Sequence, residues 1–372
     1  MIDTKRVLSF DWLLLLLTAL LAGLGVLLIS SATATMRAAG VALADLPAVR
    51  QAAFAALGLL ALVGVSLLDY RVWASLRWMM YAGILVLLAG VQIIGHTVFG
   101  AQSWFNLVVV NVQPSELAKI VLILFMARYL ADHEEQVKQG SALLVSLLLI
   151  APLVGLIAAE PDLGTAAVLF AVWAGMLFVA GLRPQHIVIM ALTVIVLAPL
   201  AWTVMPDHAQ DRIMMFVKPD SVSDDKLYNV LQALIGIGSG GLWGKGLGLG
   251  TQSQLSFLRV RHTDYIFAVL AEELGFVGSM LLLGLFTGLL MRIIHIGAKA
   301  ADAYGRLIAT GVFTMIFVQI FINIGFHVRL LPVTGLPLPL ISYGGSSLIT
   351  TLLGLGLVES VALYHQPREV VD

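Results

Sequence analysis

The chain has 372 residues, of which 60% are hydrophobic and only 12% are charged, and its formal net charge is −1. Because soluble domains carry about 25% charged residues, most of this protein's surface cannot face water, and we predict no water-soluble domain of any size. The absence of cysteine excludes disulfide bonds and thiolate metal sites, and the near-neutral charge argues against a nucleic-acid partner.

The first apolar run follows Lys5 and Arg6 and continues from Trp12 to Ser31. This run is long enough to cross a bilayer and exceeds the apolar region of a secretory signal peptide. We therefore predict a retained transmembrane helix.

Further apolar runs follow, and in lipid such runs are helical because their backbone polar groups must be bonded within the segment. The sequence predicts an all-α, polytopic membrane protein of about ten transmembrane helices, forming a single domain over residues 1–372. The predicted helices cover residues 12–31, 49–68, 78–95, 114–131, 141–159, 162–181, 187–205, 265–291, 307–327 and 344–364. Glu116 and Lys119 interrupt the run at 114–131; without it nine helices would remain, and the termini would lie on opposite sides.

The distribution of positive charge predicts the orientation in the membrane. With the N-terminus inside, the inner loops and tails hold eleven cations and the short outer loops hold three, Arg37, Arg50 and Arg329. Both termini are therefore predicted to be cytoplasmic, and the long segment 206–264 is predicted to be extracytoplasmic.

Glu116 and Lys119 are three residues apart and share a helix face. Ionisable groups inside a membrane indicate function by default, with a structural ion pair as the alternative. The sequence leaves both interpretations open, and the Lys119 ammonium is suited to binding an anionic group.

Glu160-Pro161-Asp162 lies between two apolar runs. Pro161 and Asp162 are residue types that begin a helix. Alternatively, Glu160 and Asp162 form a carboxylate pair that binds a divalent cation, with water filling the remaining positions.

The long segment contains an apolar pattern at Leu227, Val230, Leu231, Leu234 and Ile235, which predicts an amphipathic helix on the membrane surface. A glycine-rich stretch, residues 236–250, follows it.

This glycine-rich stretch lacks the strand–helix frame of a nucleotide-binding loop. We interpret it as tight turns with positive φ, or as a groove in which backbone N–H groups and Lys245 bind an anionic headgroup.

His262-Thr263-Asp264 stands at the start of the predicted helix 265–291. Asp264 could cap that helix, but its position at the outer edge of the membrane, beside His262 and ahead of Glu272 and Glu273, favours a site. Glu272 could share a cavity with Asp264. Glu273 points to the opposite face, and we expect it to pair with a neighbouring helix.

Residues 331–339 contain three prolines and a glycine and cannot form a regular helix. Non-helical backbone at membrane depth survives only where it is buried or lines a cavity. We predict a re-entrant, cavity-lining loop that leads into Ser342, Gly344 and Gly345, with an ordinary outer loop as the alternative.

Five motifs resemble those of the SEDS family, which comprises RodA, FtsW and SpoVE proteins, and they occur in the family's order. They are Gln113-Pro114-Ser115-Glu116 with Lys119, Glu160-Pro161-Asp162-Leu163-Gly164-Thr165, Gly250-Thr251-Gln252-Ser253-Gln254, His262-Thr263-Asp264 with Glu272-Glu273-Leu274-Gly275, and Pro332-Val333-Thr334-Gly335 through Ser346. The short tails and the sequence of residues 236–254 are more similar to RodA than to FtsW. Two departures stand out, because Ser103 precedes Trp104 where the family has an arginine, and Arg259-Val260 replaces Pro-Glu.

The resemblance implies a peptidoglycan glycosyltransferase of the bacterial cytoplasmic membrane that polymerises lipid II for cell elongation beside a class B penicillin-binding protein. It implies that Asp264 is the essential aspartate, the base in an inverting displacement, and makes Lys119 and Lys245 candidates for binding the departing pyrophosphate. The other candidate substrate-binding residues are Glu116, Trp104, Glu160, Asp162, His262, Glu272, Ser342, Gly344 and Gly345. It leaves open a divalent cation, Mg²⁺ or Mn²⁺, without assigning ligands, and it leaves a lipid II flippase or a non-catalytic scaffold as alternative functions.

Overall fold

The computed structural model describes residues 10–98, 101–107, 110–160, 162–219, 222–255, 257–258 and 261–365. Twelve long helices lie within these residues. They are α1 Trp12–Ala32, α2 Pro47–Ser66, α3 Arg71–Ile94, α4 Pro114–Asp132, α5 Ala142–Ala159, α6 Leu163–Val179, α7 Pro184–Val204, α8 Asp207–Val217, α9 Asp224–Ser239, α10 Ile266–Ala298, α11 Ala303–His327 and α12 Gly345–Leu363. Helical turns occur also at Ala34–Ala38, Leu43–Asp45, Glu134–Gln139 and Thr251–Gln254.

Each of the ten predicted transmembrane runs corresponds to a helix. Seven helices within the described residues, namely α1, α2, α3, α5, α10, α11 and α12, are long and apolar enough to cross a membrane. The others are α4, which carries Glu116 and Lys119, the shorter apolar helix α6, and α7. The predicted polytopic helical membrane protein is therefore confirmed.

A small antiparallel sheet joins α3 to α4, and the all-α prediction did not include it. Its strands are β1 His96–Val98, β2 Ala101–Leu107 and β3 Val110–Val112, in the order β1-β2-β3. His96 pairs with Trp104, and Phe105 pairs with Val112. The sheet forms because this segment is rich in β-branched and aromatic residues, which favour strands.

Close packing between helices depends on small residues. A Cβ added to Gly356 of α12 would lie 2.7 Å from the carbonyl oxygen of Leu62 in α2. The two backbones therefore approach closely, as membrane helices do where glycine lies at the interface.

Polar contacts near the start of α1 hold several helix ends together. Arg292 in α10 contacts Asp11 at 2.6 Å, and the Asp11 backbone N–H donates to Glu359 in α12 at 2.7 Å. Tyr70 donates to Asp302 at 2.8 Å, between α3 and α11. The beginning of α1 and the end of α12 consequently lie side by side.

The long segment before α10 is largely ordered into secondary structure. Helix α9 confirms the predicted helix, with Leu227 and Ala233 buried. Ala233 packs in a small apolar cluster with Leu258, Tyr265 and Phe326, so this side of α9 faces protein.

Candidate functional site

Asp264 lies in the turn that leads into α10. The capping position of α10 is Tyr265, and no side chain makes a capping hydrogen bond there. The interpretation of Asp264 as a helix cap is therefore wrong. Burial raises the pKa of its carboxyl to about 6, although the nearby Arg212 guanidinium acts to lower it.

Residues 331–344, which we call the proline segment, pack directly on this turn. The segment is non-helical over residues 332–338, so the predicted irregular backbone is confirmed. Leu336 and Leu338 are buried, and the re-entrant position of the segment in the membrane stays a prediction. The Ser342 hydroxyl donates to the Thr263 carbonyl at 2.7 Å, and the Tyr343 N–H donates to the His262 carbonyl at 2.9 Å. These bonds fix the Asp264 turn against the proline segment.

A set of polar contacts also surrounds Ser342 and Gly344. The amide of Gln51, a fully buried residue of α2, donates to the Ser342 carbonyl at 3.0 Å and accepts from the Gly344 N–H at 3.2 Å. A Cβ on Gly345 would lie 2.8 Å from the Phe54 ring. Ser342, Gly344 and Gly345 thus shape the backbone beside Asp264, and their prediction as substrate-binding residues remains untested.

Arg212 is the main residue of this site that the sequence did not single out. It lies on α8, and its guanidinium donates to the Thr334 carbonyl at 2.7 Å. A Cβ built on Gly335, whose φ is +75°, would lie 3.7 Å from an Arg212 nitrogen and 3.8 Å from an Asp264 carboxylate oxygen. The guanidinium and the carboxylate therefore both lie close to the point where a side chain of Gly335 would begin, and this glycine is exposed.

His262 lies beside the same turn, with its ring centroid 5.5 Å from that of Tyr343. Burial, together with the neighbouring Arg261, lowers the pKa of the imidazole. His262 is therefore neutral near pH 7 and adds no positive charge to the site.

Glu116 and Lys119 form a buried ion pair of 2.8 Å on α4, with exposed fractions of 3% and 1% for the two side chains. Both side chains therefore face the interior of the helix bundle, as the cost of exposing a charge to lipid requires. Gln113 occupies the capping position of α4, but its side chain does not cap the helix. Its backbone N–H donates to the Ser346 hydroxyl at 3.2 Å, and its side-chain amide donates to the Asp162 carboxylate at 3.2 Å. Gln113 thereby joins the beginnings of α4, α6 and α12.

Asp162 caps α6, since its carboxylate accepts the Thr165 N–H at 3.0 Å. Glu160 is buried, and its burial together with the Asp162 charge raises the pKa of its carboxyl to about 7, while Ser103 opposes this rise. Pro161 lies outside the described residues. In the described part of the chain no three His, Asp or Glu side chains gather as metal ligands, so this pair supplies at most two carboxylates to the predicted cation.

The remaining predicted residues lie in two other places. Trp104 is half-buried in β2, beside Ser103, whose hydroxyl donates to the Glu160 carbonyl at 3.3 Å. Lys245 and Glu272 form an ion pair of 2.7 Å with each other. Glu273 accepts from Ser31 of α1 at 2.7 Å, which confirms its predicted pairing with a neighbouring helix.

Comparison with known proteins gives one family. The model of the FtsW, RodA and SpoVE cell cycle proteins matches residues 11–367. The peptidoglycan glycosyltransferase MrdB of Escherichia coli K12 is 40% identical over 318 residues, which is 85% of each chain. Stage V sporulation protein E of Bacillus subtilis is 35% identical, covering 98% of this chain and 100% of its own. A probable FtsW of Geobacter metallireducens is 36% identical, covering 97% and 96%.

Solved structures agree. A chain from a peptidoglycan synthase complex, described as coordinating polymerization and crosslinking, superimposes with a TM-score of 0.81 at 33% identity, covering 96% of this chain and 99% of that one. The rod shape determining protein RodA of Thermus thermophilus superimposes with a TM-score of 0.67 at 33% identity, covering 95% and 96%.

Proposed function

This chain belongs to the FtsW, RodA and SpoVE family of cell cycle proteins, and we propose that it is a peptidoglycan glycosyltransferase that polymerises lipid II into glycan strands for cell elongation. The relatives with this enzyme name, together with the RodA fold, support a membrane-embedded enzyme. The RodA-like sequence of residues 236–254 and the sequence identity to MrdB support the role in elongation.

The observation that carries the proposal is the position of Asp264 beside an exposed glycine, Gly335, and close to the Arg212 cation. Forming a β-1,4 bond from an α-linked sugar diphosphate inverts the anomeric carbon, so one displacement suffices. Asp264 takes the proton of the acceptor hydroxyl while the hydroxyl oxygen forms a bond to the anomeric carbon. The diphosphate leaves with the electrons of the broken C–O bond. A carboxyl pKa of about 6 suits this step, because the group is ionised near neutral pH and is still basic enough to hold the proton.

Arg212 is the cation best arranged to stabilise the departing diphosphate. Lys119 and Lys245, the lysines considered from the sequence, are each paired with a glutamate. In the described part of the chain the Arg212 guanidinium makes one hydrogen bond, to a neutral carbonyl, and no salt bridge. A guanidinium binds oxyanions through paired N–H groups, and such bonds are about twice as strong as neutral ones.

The membrane and the partner complete the proposal. We place the protein in the bacterial cytoplasmic membrane with both termini cytoplasmic and Asp264 outside, as the cation distribution favours. A class B penicillin-binding protein is the proposed partner, supported by the solved relative from a complex that couples polymerization to crosslinking.

The deciding experiment is polymerisation of lipid II by the purified protein in detergent, read out as glycan length on a gel. No bilayer is present, so a flippase or a scaffold would leave lipid II unchanged. We expect glycan chains, and their absence from a folded, pure preparation would contradict the proposed activity.

A further inference from the structure

Helix α10, which begins directly after the Asp264 turn, is interrupted at Gly275. Gly275 has φ 69° and ψ −161°, which divides α10 into a short half, residues 266–274, and a longer half that begins at Phe276. Such a break frees carbonyls on one side and N–H groups on the other. In a membrane protein these groups need partners, because lipid offers none.

The glycine-rich loop, residues 240–250, supplies those partners. Its Lys245 and Gly246 N–H groups donate to the carbonyls of Glu272 at 3.0 Å and Glu273 at 2.9 Å. Its Gly241 and Leu242 carbonyls accept from residues 276 and 277 at 2.9 and 3.1 Å. Four backbone hydrogen bonds therefore join the loop to both halves of α10.

The glycines of this loop are required by contact between backbones. A Cβ on Gly244 would overlap the Glu273 carbonyl, and one on Gly240 would overlap the Ala271 carbonyl. Gly241, Gly244, Gly246 and Gly248 all have positive φ, which confirms the predicted tight turns within residues 240–250. For residues 236–239 the prediction is wrong, because they form the last turn of α9.

Side chains secure the loop from two faces of the short half of α10. Glu272, which is fully buried, accepts from the Lys245 ammonium at 2.7 Å, from the Thr251 hydroxyl at 3.0 Å and from the Gln252 N–H at 3.1 Å. On the other face Glu273 binds Ser31, whose hydroxyl accepts the Gly248 N–H at 3.0 Å. Glu272 thus holds the middle of the loop and the residues that directly follow it.

We propose that Lys245 and Glu272 are positioning residues, whose ion pair locks the glycine-rich loop onto the broken helix and so holds the Asp264 carboxylate at its working distance. The proposal rests on the glycosyltransferase function above. The Glu272 carboxylate already accepts three protein donors, and the Lys245 ammonium also donates to Thr251 at 2.9 Å. Because the short half of α10 follows directly from Asp264, a shift of that half moves the base, and a displacement of about 1 Å can reduce a rate about 100-fold.

The first test separates positioning from substrate contact by steady-state kinetics with lipid II. We expect Lys245→Met to lower kcat about tenfold or more while KM stays within about twofold of wild type. Lys245→Arg, which keeps the pair, should restore most of kcat. A raised KM at unchanged kcat would assign Lys245 to the substrate and overturn the proposal, as would wild-type values of both constants.

The second test replaces the ion pair by a covalent bond. The chain has no cysteine, so a Lys245→Cys, Glu272→Cys double variant carries the only two thiols. The 3.0 Å backbone bond between residues 245 and 272 brings their Cα atoms near the roughly 4.4–6.8 Å that a disulfide spans. We expect the reduced variant to be as slow as Lys245→Met, and the oxidised variant to recover kcat to within about threefold of wild type.

Recovery of that kind cannot come from charge, since a disulfide has none. An oxidised variant that contains the disulfide by mass spectrometry yet stays slow would overturn the proposal. A pair of thiols that fails to oxidise would contradict the packing of the loop on α10 and overturn it also. A wild-type protein that makes no glycan would instead contradict the glycosyltransferase function itself.

Discussion

Two opposing effects set the charge of Asp264. Burial raises the pKa of its carboxyl from the ordinary value of 3.8 to about 6, and the Arg212 guanidinium limits that rise. A general base works best when its pKa lies near the operating pH, because it must be both ionised and basic. The Asp264 carboxyl, the proposed base, is therefore mostly ionised above pH 6.

The pH dependence of polymerisation follows from this balance. The rate should fall as the pH drops through about 6, because protonated Asp264 cannot accept the acceptor proton. Arg212→Gln removes the charge that lowers the pKa, so the pH at which the rate halves should move upward. The variant should also lose about tenfold to a hundredfold in kcat, since it lacks the proposed charge-assisted contact to the diphosphate.

Arg212→Lys is the control for this prediction. It keeps the positive charge but lacks the paired N–H groups of the guanidinium. The pH at which the rate halves should therefore stay near its wild-type value, while kcat falls. An acid limb that does not move in Arg212→Gln would mean that Arg212 does not act on the base.

The Glu116–Lys119 pair predicts a different pattern. Lys119→Met leaves Glu116 as a buried charge without its partner, which costs about 3–5 kcal/mol of stability. We expect a large loss of folded protein by size-exclusion chromatography for Lys119→Met, and recovery in the double variant Glu116→Gln, Lys119→Met. If the double variant folds and still polymerises normally, the pair is structural; if it folds and is inactive, the lysine takes part in binding. Failure of the double variant to recover would contradict the compensation argued here.

At the scale of elements, the contact between the glycine-rich loop and α10 gives a matched pair of glycine substitutions. Gly244 and Gly248 have nearly equal φ values, +77° and +76°, but a Cβ on Gly244 would overlap Glu273 whereas one on Gly248 would have nothing within 4 Å. Alanine at either position costs about 1–2 kcal/mol from its backbone conformation. We expect Gly244→Ala to lower the thermal unfolding temperature clearly more than Gly248→Ala, because only there must the loop move away from α10. Equal losses would show that the loop does not pack this closely.

The sequence predicts elements well where one physical effect dominates. Long apolar runs identify the ten helices, since a segment in lipid has few alternatives to a helix. Prolines and glycine identify the irregular segment around residue 335, because they cannot continue a helix. The sheet at residues 96–112 was not predicted, since its short strands lie between two apolar runs and depend on pairing with each other.

The site was predicted only in part, because some of its residues are brought together by contacts between segments that are distant in the sequence. Asp264 could be recognised from its motif and its place at a membrane boundary. Arg212 precedes Asp264 by about 50 residues, and the pattern of apolar and polar residues around Arg212 does not indicate that it lies near Asp264. The pairing of Lys245 with Glu272 likewise depends on the fold of the glycine-rich loop onto α10, which no local pattern encodes.

At the scale of the whole molecule, the beginning of α1 and the end of α12 lie side by side, as an even number of crossings requires. The cation bias then predicts which side is cytoplasmic. In a chain without cysteine, Ser223→Cys in the long segment and Ser141→Cys between α4 and α5 are well-placed single labels, as both residues are exposed. A membrane-impermeant maleimide added to intact spheroplasts should label Ser223→Cys, and Ser141→Cys should react only after permeabilisation. The reverse pattern would invert the orientation proposed here.

The measurement that tests the whole account most directly is polymerisation of lipid II by purified Asp264→Asn, beside wild type and Asp45→Asn. Asparagine keeps the size of the side chain but cannot take up a proton, and general base catalysis contributes about 10²–10⁴-fold. Asp45, an exposed residue paired with Arg50 between α1 and α2, controls for loss of a carboxylate elsewhere. We expect glycan synthesis by wild type and Asp45→Asn, and a rate lower by about that factor for Asp264→Asn at equal folded yield. A rate for Asp264→Asn within a few-fold of wild type would contradict the account and remove Asp264 from the mechanism.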